Sequence, residues 1–124
     1  MINQTYSVCQ EGSQGYAKLV TYIQDDSQDI AIHERPMVVV CPGGAYCMTS
    51  DREAEVIVFQ MLAMGCNAAL LRYSCAPSVF PVALTELASS VKLIREHAEE
   101  WHIVYFGGSI RRSFANLLEG CRRP

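Results

Sequence analysis

An α/β fold, with a parallel sheet as the middle layer of a three-layer sandwich, is predicted for this 124-residue chain by three observations. The run Met37-Val38-Val39-Val40-Cys41 is rich in β-branched residues and has no polar alternation, the pattern of a parallel strand covered on both faces. Between this run and the next of its kind, apolar residues recur at helical spacing. The two patterns then alternate along the chain, which builds parallel strands joined by right-handed crossovers.

Taken in order, Ala17 to Gln24 alternates as an early strand and Asp25 to Asp29 is a polar turn. Met37–Cys41 is the first long strand, and it runs into Pro42-Gly43-Gly44-Ala45-Tyr46. Small residues at the end of a strand let backbone N–H groups approach a ligand, so such a turn can hold an oxyanion. Ser50-Asp51-Arg52-Glu53 has the capping-box pattern, and Ala54, Ile57, Val58, Met61 and Leu62 follow at helical spacing until Gly65 stops the helix. Asn67 to Tyr73 is a second buried strand, closed by the Ser74-Cys75-Ala76-Pro77 turn. Pro81 opens a second helix whose apolar stripe is Leu84, Leu87, Ala88, Val91, Ile94 and Ala98. Ile103-Val104-Tyr105-Phe106 is a short third strand ending at Gly107-Gly108-Ser109, and Arg112 to Leu118 is a final helix.

Several function classes are disfavoured by what these segments contain. No Gly-x-Gly-x-x-Gly or Walker pattern follows a strand, which argues against nucleotide binding. The six cysteines form no Cys-x-x-Cys pair, so neither a metal site nor a cofactor is implied. Cys47 lies near the glycine turn with nothing basic beside it in sequence, and packing explains it better than reactivity. The N-terminus lacks a basic and then apolar leader, and no run reaches transmembrane length, so a soluble cytoplasmic protein without a membrane partner is expected. Residues 1–103 carry 6 basic and 12 acidic side chains, whereas residues 104–124 carry four arginines, Arg111, Arg112, Arg122 and Arg123, against Glu119 alone. That basic end has no aromatic interleaving, and nucleic-acid binding is not expected.

Four stretches together resemble the α/β-hydrolase-fold esterases and lipases, particularly their bacterial acetylesterase and acetyl-xylan-esterase-like branch. They are Arg35 to Tyr46, Ser50 to Ala54, Leu71 to Pro77, and Phe80-Pro81 through Glu100-Trp101-His102-Ile103. The resemblance covers about residues 17–103 in the right order, and 104–124 diverge. It implies that residues 1–124 form the N-terminal portion of one α/β-hydrolase domain. The early strand is then part of an antiparallel edge hairpin, and the fold is an incomplete α/β-hydrolase fold. A 124-residue chain suits one small domain, about half of what such a sheet normally needs.

By the same resemblance the chain is a carboxylic ester hydrolase for short acyl esters, acetylated carbohydrates among them. Gly43, Gly44 and Ala45 follow Pro42 where related lipases have His-Gly-Gly-Gly, and their amides belong to the oxyanion hole. Losing one such donor costs about 3 kcal/mol of transition-state stabilisation. Ser109, in Gly107-Gly108-Ser109-Ile110-Arg111, falls on the nucleophile, with the Ile110 amide as a further oxyanion donor. Arg111 replaces the closing glycine of the strained elbow. Downstream of Ser109 there is one acidic residue, Glu119, and no histidine, while His33, His97 and His102 match no family position. The alternative is therefore a catalytically inactive fragment or a frameshifted product of such an esterase, and a second chain completing the site stays open.

The frameshift alternative has a direct test, because codon degeneracy allows another frame across Tyr105 to Ser109 to encode Ser-Ala-Gly. The coding DNA is expected to yield that elbow, with acid and histidine codons downstream, in a shifted frame. Alternative frames without them eliminate the idea.

Overall fold

The computed structural model describes residues 1–110, with side chains through Val104, and it contains a five-stranded mixed sheet with a helix on each face. The strands are β1 (Thr5–Ser7), β2 (Lys18–Tyr22), β3 (Arg35–Cys41), β4 (Asn67–Arg72) and β5 (Ile103–Ile110). The helices are α1 (Glu55–Ala63), preceded by a 3-10 turn at Asp51–Glu53, and α2 (Val82–Glu96). Spatial order is β1-β2-β4-β3-β5. β1 and β2 form the expected antiparallel hairpin, β2 pairs antiparallel with β4, and β4, β3 and β5 run parallel. The helix predicted over Arg112 to Leu118 lies outside the described residues.

Connectivity explains why the two helices take opposite faces. The chain steps from β3 to β4 through α1, then returns from β4 past β3 to β5 through α2. Two right-handed crossovers in opposite directions must cover opposite sides of the sheet. One core therefore contains Leu19, Met37, Val39, Cys41, Ala69, Leu71, Tyr73, Ile94 and Trp101. The other contains Tyr22, Val40, Ala54, Val58, Ala68 and Leu70, with Ile57, Met61 and Leu62 packed on it. Alternate residues of β3 and β4 feed the two cores, which is why both strands read as unbroken apolar runs.

Three local features differ from the sequence expectation. Ser50 makes no side-chain capping bond. The Glu53 carboxylate instead accepts the Gly43 N–H at 2.8 Å, so the box is opened in favour of the turn after β3. β5 continues four residues past Phe106 to Ile110, with an irregularity where Arg35 pairs with Ile103 and Met37 with Phe106.

The third difference is the facing of α2. Its buried positions are Val82, Ala83, Glu86, Ser90 and Ile94. Leu84, Leu87, Ala88 and Val91 instead line an open groove of about 550 Å³ with Lys92, Arg95 and Glu96. Polar Glu86 and Ser90 can turn inward because each has partners there. The Ser90 hydroxyl donates to the Glu86 carbonyl oxygen at 2.9 Å, and the Glu86 carboxylate has donors of its own, described below.

Burial gives the sheet an alkaline limit. The Cys41 thiol, enclosed in the core, is pushed from its ordinary 9.0 to about 12, and burial also raises the Tyr73 phenol. Both groups are neutral when folded, and the unfolded chain gives up these protons first. The stability they contribute is whole below pH 9 and falls as pH rises toward 12, by about 1.4 kcal/mol per pH unit for each titrating group. Urea unfolding from pH 8 to 11 should show this decline, and Cys41→Ala should make it shallower.

Candidate active site

The turn after β3 is fixed by its flanks and left open in its middle. Gly43 is held twice: its N–H donates to Glu53 Oε2 at 2.8 Å, and its carbonyl accepts the Ser50 N–H at 2.9 Å. The buried Tyr73 hydroxyl donates to the Pro42 carbonyl. Beyond Gly43, the Cys47 N–H donates to the Gly44 carbonyl at 3.0 Å, and the Ala76 N–H to the Tyr46 carbonyl at 2.6 Å. Among the described residues, the Gly44 and Ala45 amides have no acceptor.

Only glycine fits at position 44, because a Cβ there would lie 2.0 Å from the Met48 carbonyl oxygen. The two residues that follow are strained. Ala45 and Tyr46 have φ of 55° and 60°, the left-handed region that costs an L residue about 1–2 kcal/mol. Such outliers persist only where surrounding contacts over-determine them, and they cluster at ligand-binding sites. Tyr46 has those contacts, with its ring edge-on to Tyr73 at 6.1 Å. A third glycine is therefore not needed for the turn to close.

Arg72, at the end of β4, braces the segment between turn and helix. Its guanidinium donates to the Thr49 carbonyl at 3.0 Å, to Thr49 Oγ1 at 3.1 Å and to Asp51 Oδ1 at 2.9 Å. Cys47 is exposed on the turn, whereas Cys75 and Cys41 are buried free thiols.

Glu86 is the site residue that sequence reasoning missed. It is fully buried, and three donors hold it: the Ser74 N–H at 2.7 Å, Ser74 Oγ at 2.5 Å and Ser13 Oγ at 2.7 Å. Ser74 Oγ in turn accepts the Gln14 N–H at 2.8 Å. One carboxylate thereby joins α2, the loop after β4 and the N-terminal loop. The signal available in sequence was Ser74 just past a buried strand and a carboxylate one turn into the next helix. It was obscured because Leu84 and Leu87 flank Glu86.

The remaining sequence candidates are placed as follows. β3 and β5 are parallel neighbours, so the glycine turn and Ser109 belong to the same end of the sheet. Ser109 pairs with Val40 and Ile110 with Cys41, both on strand rather than on a turn. Gly43 lies three residues beyond Val40, past the end of β3 at Cys41. The Ser109 and Ile110 side chains lie outside the described set. No histidine is at the turn: His33 Nδ1 pairs with Asp26 at 2.6 Å on the surface, and His97 stacks on Trp101 at 4.5 Å. His102 immediately precedes β5, at the opposite end of the sheet. Among the described residues no group of His, Cys, Asp and Glu can hold a metal ion, and no helix is long and apolar enough to cross a membrane.

A β4-β3-β5 parallel core, an antiparallel hairpin at its edge, and a constrained glycine turn at the point where strand order reverses define an α/β-hydrolase type of protein. Comparison with solved structures agrees. An α/β hydrolase enzyme from a Medee basin deep-sea metagenome library superposes with a TM-score of 0.76 at 35% identity, over 83% of this chain and 42% of that one. An acetyl ester-xyloside bifunctional hydrolase from Caldicellulosiruptor lactoaceticus gives a TM-score of 0.67 at 26% identity, over 74% and 33%. A carboxylesterase from Lactobacillus plantarum shares the fold, with a TM-score of 0.70 at 24% identity over 87% and 42%. In sequence, an endo-1,4-beta-xylanase B from Butyrivibrio fibrisolvens is 29% identical over 98 residues, which are 75% of this chain and 15% of that protein. No family model matches the sequence. The chain shares the α/β-hydrolase fold with these structures, and it spans less than half the length of each.

Removing the Glu86 carboxylate should expose its importance to this end of the molecule. Glu86→Ala leaves the Ser74 amide and two hydroxyls without their acceptor, each a loss of about 1–3 kcal/mol when buried. Urea unfolding should show a destabilisation of roughly 3 kcal/mol or more, against less than 1 kcal/mol for the exposed Glu96→Ala.

Proposed function

We propose that this chain serves carboxylic ester hydrolysis on short acyl esters, acetylated carbohydrates included. The Gly44 and Ala45 amides would receive the carbonyl oxygen as it becomes an oxyanion, and Ser109 would attack the carbonyl carbon, with the Ile110 amide as a further donor. The observation that carries the reading is the turn itself: two consecutive amides with no acceptor among the described residues, on a backbone held in a strained shape by Glu53, Ser50 and Tyr73. Donors fixed before reaction need no reorganisation when charge develops, and that is their catalytic value. Gly43 is not a donor in this scheme, because Glu53 already occupies its N–H. The ester hydrolases among its structural relatives support the reaction class. The free buried thiols Cys41 and Cys75 fit a reducing, cytoplasmic setting.

A second reading, that this polypeptide alone is nearly inactive, is favoured by the histidines. His97 and His102 are remote from the turn and His33 is engaged with Asp26, so among the described residues nothing can take the Ser109 proton.

Both readings meet in one assay with p-nitrophenyl acetate. Weak hydrolysis, about 10³-fold over water at most, is expected from an oxyanion turn acting without its base. It should be unchanged in Ser109→Ala and lost in Gly44→Ala, whose added methyl displaces the turn. Fast turnover abolished by Ser109→Ala would overturn the second reading and require a base supplied from elsewhere. Hydrolysis indifferent to Gly44→Ala would overturn the oxyanion assignment.

A further inference from the structure

Two open features lie together at the edge of the sheet farthest from the hairpin. β5 ends the order β1-β2-β4-β3-β5, and among the described residues it pairs with β3 alone. The backbone N–H and C=O groups on its other side are a template for a further strand. Sheet edges are commonly guarded by charge, by proline or by shortness. β5 has none of these: it runs eight residues, Ile103–Ile110, with no charged residue and no proline. The opposite edge is guarded, since β1 has three residues and its polar Thr5 and Ser7 are exposed.

The second feature is the groove on α2, and handedness shows that it faces the same way. With α2 in front of the sheet and the parallel strands running up, a right-handed crossover places β5 to the right of β4. α2 then runs down. Its right-handed winding carries the surface from the buried Glu86, Ser90 and Ile94 around to Leu87, Val91 and Leu84 on the β5 side. Leu87 and Ile103 accordingly pack on the same core, and Val104 on β5 is 49% exposed.

A second copy of this chain fits both features at once. A twofold axis perpendicular to the sheet pairs β5 antiparallel with itself and keeps both α2 helices on one face, where they meet over the joined strands. Antiparallel α2 helices can then set Leu84 against Val91 and Leu87 against the smaller Ala88. No like charges are brought together along the strand, because β5 carries none. The area is modest. Eight strand residues span about 26 Å, and a sheet with one helix layer is roughly 20 Å high, so each copy covers on the order of 500 Å². That is the lower end for a specific interface and implies a weak dimer, with a dissociation constant on the order of 10–100 µM.

We propose that the β5 edge and the α2 groove together form a docking surface for a second copy of this chain, giving a symmetric dimer whose sheet runs unbroken through two antiparallel β5 strands.

The test is sedimentation equilibrium of the 124-residue chain across the micromolar range, with a reducing agent present because Cys9 and Cys47 are exposed. A reversible monomer–dimer equilibrium is expected. Val104→Lys, which puts a charge on the strand, and Ala88→Glu, which puts one in the groove, should each weaken it at least tenfold. Both positions are exposed and lie on different elements, so a folding defect in one variant leaves the other informative. Phe59→Lys, on the exposed side of α1, should leave association unchanged. Hydrogen exchange should slow at the β5 amides not bonded to β3, and only in concentrated samples. A chain that stays monomeric throughout, or a dimer sensitive to Phe59→Lys and indifferent to the other two, would overturn the proposal. So would β5 amides equally protected in dilute and concentrated samples, which would assign the edge to another segment of the same chain.

Discussion

The buried carboxylate of Glu86 is the constraint on which the site end of this molecule depends. A carboxylate withdrawn from water loses its hydration and is tolerated only when protein donors replace it. Here Ser74 supplies two donors and Ser13 a third, one residue from the loop after β4 and the other from the N-terminal loop. The charge can be satisfied only if the loop after β4, the N-terminal loop and the first turns of α2 occupy one arrangement. Ser74 then lies where Tyr73, its neighbour, can reach Pro42, and the turn after β3 inherits its placement from that bond. An apolar residue at position 86 would leave these donors without their acceptor and specify none of this arrangement.

A second carboxylate performs a complementary task. Glu53 takes the Gly43 amide out of circulation while Gly44 and Ala45 keep theirs. The chain thereby sorts three successive backbone donors: one anchors the turn, and two have no acceptor among the described residues. Arg72 adds a cationic brace on the far side through Thr49 and Asp51. Polar side chains thus set backbone positions here, and the backbone would set the chemistry.

What was legible in the sequence follows from which forces leave a local trace. Met37–Cys41 and Asn67–Arg72 were readable because burial on both faces excludes polar residues from consecutive positions. The turn was readable because its second glycine has no room for a methyl group. The facing of α2 was not, since Leu84, Ala88 and Val91 satisfy helical spacing whether they face a core or an open groove. Glu86 was hidden for a related reason: a carboxylate on a helix ordinarily marks the solvent side, and only donors far away in sequence reverse that. Glu53 was recognised as part of a local cap but serves a residue ten positions earlier. The serine of the Gly107-Gly108-Ser109 motif was legible as a match, while its strand register with Val40 depends on where β5 ends, which composition does not mark.

Ala45 and Tyr46 give the turn a further property. Two successive L residues in the left-handed well keep that shape only while Glu53, Ser50 and Ala76 restrain the backbone around them. Relaxation to ordinary dihedrals is downhill as soon as enough of those restraints are gone. The response to damage is therefore a threshold: mild erosion of the anchors is absorbed without change in shape, and beyond some point both free amides swing away together. A lineage carrying this segment would meet a cliff rather than a slope, and the anchors would be lost or retained as a set.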